Sequence, residues 1–124
     1  MPATERSLEL AKTAAKAADD KLATTVAGID VSEQLAITDV FVIVSASTDR
    51  QVGAIVEEVE DQLRDKGAKP IRREGERDGR WVLLDFGDIV VHVQHDEERE
   101  FYELERLWKD CPEIELGVQK RRQQ

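Results

Sequence analysis

Between Trp81 and Val93 the chain alternates twice and turns back on itself around Phe86-Gly87. Glycine supplies the positive φ of a tight turn, so this stretch predicts a hairpin of two short strands. With the turn at Phe86-Gly87, Trp81 falls opposite His92, Leu83 opposite Val90, and Asp85 opposite Asp88. Side chains alternate across a strand, which gathers Val82, Leu84, Ile89, Val91 and Val93 on one wholly apolar face that must be covered. The other face is mixed: Trp81, Leu83 and Val90, edged by Asp85, Asp88 and His92. Such a face suits either a protein-binding patch or burial under a second layer of the same domain. The pattern leaves both open.

Around the hairpin, α and β signals alternate. From about Thr4 to Thr25, Leu8, Ala11, Ala15, Ala18 and Leu22 recur at helical spacing, and their small side chains would let the helix approach a sheet closely. Gly28 is read as the end of that segment, with a short strand at Gly28–Val31. The continuous apolar run within Thr38–Ser45 suits a strand buried on both faces. Thr48 followed by Gln51 fits a capping box, and Val52, Ile55, Val56, Val59 and Leu63 then form one stripe that stops at Lys66-Gly67. A strand at Lys69–Arg73 would complete a strand-helix-strand unit with a right-handed crossover. The polar loop Glu74–Gly79 leads into the hairpin. A last helix is predicted over Asp96–Asp110, with Phe101, Leu104, Leu107 and Trp108 as its core stripe and Pro112 beyond its end. The expectation is one domain over residues 1–116 and a polar, disordered tail over 117–124.

Charge and composition exclude several classes. The 124 residues carry a formal charge of −9. Leaving out Lys120-Arg121-Arg122 from the 18 basic residues against 27 acids gives −12 for the rest. Nucleic-acid binding rests on Lys and Arg neutralising phosphates, so direct DNA binding is not expected and RNA contact would be peripheral. A basic protein partner would instead be attracted. No apolar run approaches the ~20 residues of a membrane span. The polar start Met1–Arg6 is unlike a secretory signal, and the lone Cys111 fits a reducing compartment, so a cytoplasmic protein is expected.

No chemical constellation stands out. His92 and His95 lie three apart in a strand and so face opposite sides, and no cysteine joins them into a metal site. Ser45, Ser47 and Thr48 precede a helix without the glycines or lysine of a phosphate loop, and capping explains them better. Asp85 and Asp88 read as turn residues rather than metal ligands. No catalytic residue, metal or cofactor is assigned.

The blocks Thr38–Ile43, Asp49–Val52, Glu74-Gly75, Trp81–Val93 and Arg99–Trp108 together resemble the ribosomal silencing factor (Iojap) family over roughly residues 5 to 110. Two positions depart from its pattern: Val40 replaces a common aromatic, and Ala46 a usual glycine. The resemblance implies a fold related to nucleotidyltransferases, an α/β (α+β) mixed sheet of about five strands covered by helices, without their catalysis. The turn Ser45-Ala46-Ser47 lacks the Gly-Ser signature that positions a nucleotide, and no Asp-x-Asp pair lies on a strand. Family members bind a basic ribosomal protein on the joining face of the large ribosomal subunit, block the small subunit and lower translation when nutrients are short.

On that expectation Trp81, Leu83 and Val90 form the apolar anchor, with Phe86 as a turn-tip contact. Asp85 and Asp88 would pair with partner Lys or Arg, His92 would pack beside Trp81, and Arg99 and Tyr102 would form the rim. The alternatives are a divergent nucleotidyltransferase-like enzyme and an adaptor that pairs with its own copy. Weak homodimerisation is compatible with the ribosomal role.

Overall fold

The structure, a computed structural model, describes residues 3–118. Its helices are α1 (Glu5–Asp20), α2 (Asp49–Asp65), α3 (Asp96–Tyr102) and α4 (Leu104–Leu107). Its strands are β1 (Thr25–Asp30), β2 (Val40–Ala46), β3 (Arg72–Glu74), β4 (Trp81–Asp85), β5 (Ile89–His95) and β6 (Glu113–Ile114). The six strands form one mixed sheet in the order β3-β4-β5-β2-β1-β6, an α+β architecture. The β2–β5 pair is parallel and the other pairs are antiparallel.

Both long helices lie on one face. Thr4 caps α1 by accepting a hydrogen bond from the Ser7 N–H, and α1 buries Leu10 with five alanines at positions 11, 14, 15, 17 and 18. Without long side chains the helix seats directly on the sheet. The predicted stripe of α2 is buried in full, from Val52 to Leu63. Thr48 caps this helix through the Gln51 N–H, but the Gln51 side chain accepts from Ser47 instead of returning to Thr48, so half of the capping box forms. Against these helices stand Val40, Val42, Val44, Val82, Leu84, Ile89, Val91 and Val93. Each such side chain, once buried, contributes about 1.5–3 kcal/mol.

The second face carries a thinner layer. Ile29, Val31, Ile43 and Leu104 form its buried centre, flanked by Leu35, Phe41, Trp81, Trp108 and Cys111.

Several expectations are corrected. The hairpin pairs Trp81 with Gln94, Leu83 with His92 and Asp85 with Val90, two residues from the predicted register. Its turn is Gly87-Asp88, since the Phe86 N–H bonds to the Ile89 carbonyl, and Gly87 takes φ +88°. Helix α1 stops at Asp20, where Leu22 reverses the chain at φ +64°, and the first strand begins three residues before Gly28. Two strands, the β4–β5 hairpin, lie between β3 and β2.

The single helix predicted over 96–110 is broken at Glu103, φ +49°. That break turns Leu104 inward and leaves Phe101 and Leu107 exposed at 77% and 74%, against the predicted core stripe. Lys120-Arg121-Arg122 lies outside the described residues.

Candidate protein-docking surface

The second face of the sheet is laid out in cross-strand rows. Thr25, Ser45, Gln94 and Trp81 form one row, and Ala27, Ile43, His92, Leu83 and Glu74 the next. Ile29, Phe41, Val90, Asp85 and Arg72 form the third. Toward β1 and β2, Leu104 of α4 and Trp108 pack with Ile29, Ile43 and Phe41. Toward β3 and β4 cover thins, and Trp81, Leu83 and Asp85 are half-buried beside an exposed edge strand.

An aromatic chain crosses this face from covered to open. Trp108 meets Phe41 at 5.1 Å and Phe41 meets His92 at 4.9 Å. His92 lies 6.1 Å from Trp81, Trp81 4.8 Å from Tyr102, and Tyr102 4.9 Å from Phe101. The tilted and edge-on packing is the arrangement that ring quadrupoles favour. It ends at Phe101, in solvent.

The Trp81 Nε1–H donates to His92 Nδ1 at 3.3 Å. An accepting Nδ1 puts the imidazole proton on Nε2, and burial pushes the His92 pKa down to about 4. His92 is therefore neutral at physiological pH and orients the indole. Arg80 fastens the helix above: its carbonyl accepts the His95 N–H, and its guanidinium reaches Glu98 at 3.2 Å, Glu97 at 2.7 Å and Asp49 at 3.5 Å. These carboxylates, Glu98 first, raise the Arg80 pKa further.

The predicted site residues divide. Trp81, Leu83 and Asp85 lie together on the half-open strip, and Asp88 is exposed at the hairpin tip. Tyr102 borders the strip from α3, while Arg99 of the same helix pairs with Glu105. Asp85 also closes the turn, accepting the Gly87 N–H at 2.8 Å, and sits 3.8 Å from Arg72.

Phe86, Val90 and His92 are 8%, 7% and 5% exposed and present no side chain to a partner. With the turn one residue later, alternation carries Phe86 to the helix-covered face instead of the tip. Sequence reasoning missed Phe101 and Leu107 as surface groups, because their spacing matched a core stripe. It also missed Ile71, 74% exposed, which lies against Gly87 at the hairpin tip. Arg80 gave no signal beyond its charge.

Against known proteins, residues 4–124 match the family described as "Ribosomal silencing factor during starvation". The chain belongs to this ribosomal silencing factor family. A ribosomal silencing factor of Bacillus subtilis is 43% identical over 105 residues, 85% of this chain and 89% of that protein. A crystal structure from Chromobacterium violaceum superposes with a TM-score of 0.78 at 29% identity, covering 90% of this chain and 92% of the other. A mouse protein named for mitochondrial assembly of the ribosomal large subunit is 35% identical over 83 residues, 64% of this chain and 36% of its own. The bacterial silencing factors among these relatives are named as regulators rather than enzymes. Among the described residues, no helix is long and apolar enough to cross a membrane.

Proposed function

We propose that this chain silences ribosomes by occupying the subunit-joining face of the large subunit through a basic ribosomal protein, thereby excluding the small subunit. Residues 1–116 would act as one silencing domain, in the cytoplasm, with no cofactor and no turnover. The observation that carries this reading is the half-open strip Trp81–Leu83–Asp85, bordered by Tyr102 and Phe101, on a chain of net charge −9. An apolar centre with an acidic edge suits a Lys- and Arg-rich protein surface and repels bare rRNA. The names of the relatives support the ribosomal setting.

The action is steric. A domain of this length has a radius of gyration of ~14 Å, bulky enough to obstruct a subunit joint. Inhibition then follows occupancy. Co-sedimentation with separated large and small subunits, followed by addition of the missing subunit, tests it. Binding to the large subunit alone with fewer joined ribosomes is expected. Binding to neither subunit would overturn the reading.

A second reading, self-association, is favoured by the exposed Phe101 and Leu107. A monomer in sedimentation at micromolar concentration would argue against self-association.

A further inference from the structure

Segment α3–α4 buries Leu104 but leaves two large apolar side chains outside. Its outer side exposes Phe101 and Leu107 at 77% and 74%. Polar atoms are buried beside α3: among the described residues, the buried side-chain atoms without a hydrogen-bond partner are His92 Nε2, both Gln94 amide atoms, Asp96 Oδ1 and Arg99 Nε. All five belong to residues 92–99, in the second half of β5 and in α3. Buried polar groups are nearly always paired, so this clustering marks one interface as unsatisfied. Between the helices stands Glu103 at φ +49°, a backbone state that a residue with a Cβ resists.

The break has a geometric effect that can be undone. Leu104 and Trp108 face the sheet four residues apart. At 100° per residue, a helix continued backward from Leu104 brings Phe101, three residues earlier, onto the same inward stripe. Arg99 and Tyr102 turn away from the sheet, and Glu97 turns inward. What opposes this is visible. Arg80 holds Glu97 and Glu98, Arg99 pairs with Glu105, Thr24 donates to Asp96 at 3.1 Å, and Tyr102 packs on Trp81.

We propose that α3–α4 is a two-position latch over the docking strip. In the position seen, Glu103 is left-handed and Tyr102 covers Trp81. In the other, α3 and α4 fuse into one helix, Phe101 packs inward, and Trp81 is uncovered for the ribosomal partner. The existence of two positions is a property of the free protein; their link to docking rests on the function proposed above.

Paired substitutions at Glu103 test it. Glu103→Gly favours the left-handed state and Glu103→Ala the fused helix, and the two preferences multiply to about twentyfold or more in the ratio of the forms. Both variants lose the Glu103–Arg106 pair, which therefore cancels. In free protein, the 13Cα shift of residue 103, taken against the random-coil value of the residue placed there, and the Trp81 indole N–H signal should move in opposite directions from wild type in the two variants. Large-subunit co-sedimentation should then be stronger for alanine and weaker for glycine. Equal secondary shifts at residue 103 together with an identical Trp81 indole N–H signal in both variants would overturn the latch. Moving signals with unchanged sedimentation would overturn its coupling to docking. If no form sediments, wild type included, the silencing function fails while the NMR comparison still decides the latch.

Discussion

Neutral His92 makes this protein's acid sensitivity calculable. Its unfolded-state pKa is near 6.5 and burial lowers the folded value to about 4. A depressed folded pKa means that the unfolded chain takes up a proton that the folded chain refuses. The His92 contribution is therefore full above pH 6.5 and is lost as pH falls toward 4, where this part of the loss levels off. At 1.36 kcal/mol per pK unit the group contributes about 3 kcal/mol over the whole window and about 2 kcal/mol between pH 7 and pH 5.

His92→Gln isolates this term, since an amide oxygen can accept the Trp81 N–H but cannot titrate. Carboxylates contribute alike to both proteins and cancel in the difference. Urea unfolding at pH 7, 6, 5 and 4.5 should show the wild type losing about 2 kcal/mol more than the variant by pH 5. Parallel pH profiles would refute the argument, because they would mean that folded His92 takes up its proton as readily as the unfolded chain does.

Trp81→Ala should weaken large-subunit binding by about thirtyfold or more, as truncating an interface-centre tryptophan often costs at least ~2 kcal/mol; unchanged affinity in a folded variant would remove Trp81 as anchor. Two glycines should respond in opposite directions in thermal unfolding. Gly53, mid-helix with open space where a Cβ would go, should gain about 1 kcal/mol on change to alanine. Gly75→Ala should lose more than ~1 kcal/mol, because at φ +85° its Cβ would fall 1.9 Å from the Trp81 carbonyl oxygen. The double change Phe101→Ser and Leu107→Ser should leave the unfolding midpoint within a degree or two, since both side chains already face water. Greater stability loss would show that they are packed in solution.

The faces of the sheet were legible because they depend only on alternation. A register error of two residues returns every side chain to its face, which is why the core side of the hairpin was read correctly while each opposing pair was not. Helix α2 was legible because cap, stripe and stop agreed. The last helix was not. Its apolar spacing is helical, and nothing in the identity of Glu103 announces a left-handed break. The burial of Phe86 followed from the turn position, which rests on one hydrogen bond rather than on composition. Strand β6, two residues long, offers no periodicity to detect. Within the half-open strip, Trp81, Leu83 and Asp85 were legible from alternation, whereas the broken helix beside them was not.

The parallel pair at the centre of the sheet carries a consequence for how the chain is made. Val40 pairs with Ile89 and Ala46 with His95, a constant separation of 49 residues along the chain. At roughly 5–20 residues per second of synthesis, β2 waits on the order of 2–10 s for its parallel neighbour. During that interval the apolar run Val40–Val44 has one unpaired edge, and β1 and α1 are the elements already made that can shelter it. The alanine-rich contact surface of α1, which permits close seating without side-chain interlocking, would then serve the growing chain as an early cover as well as the finished fold.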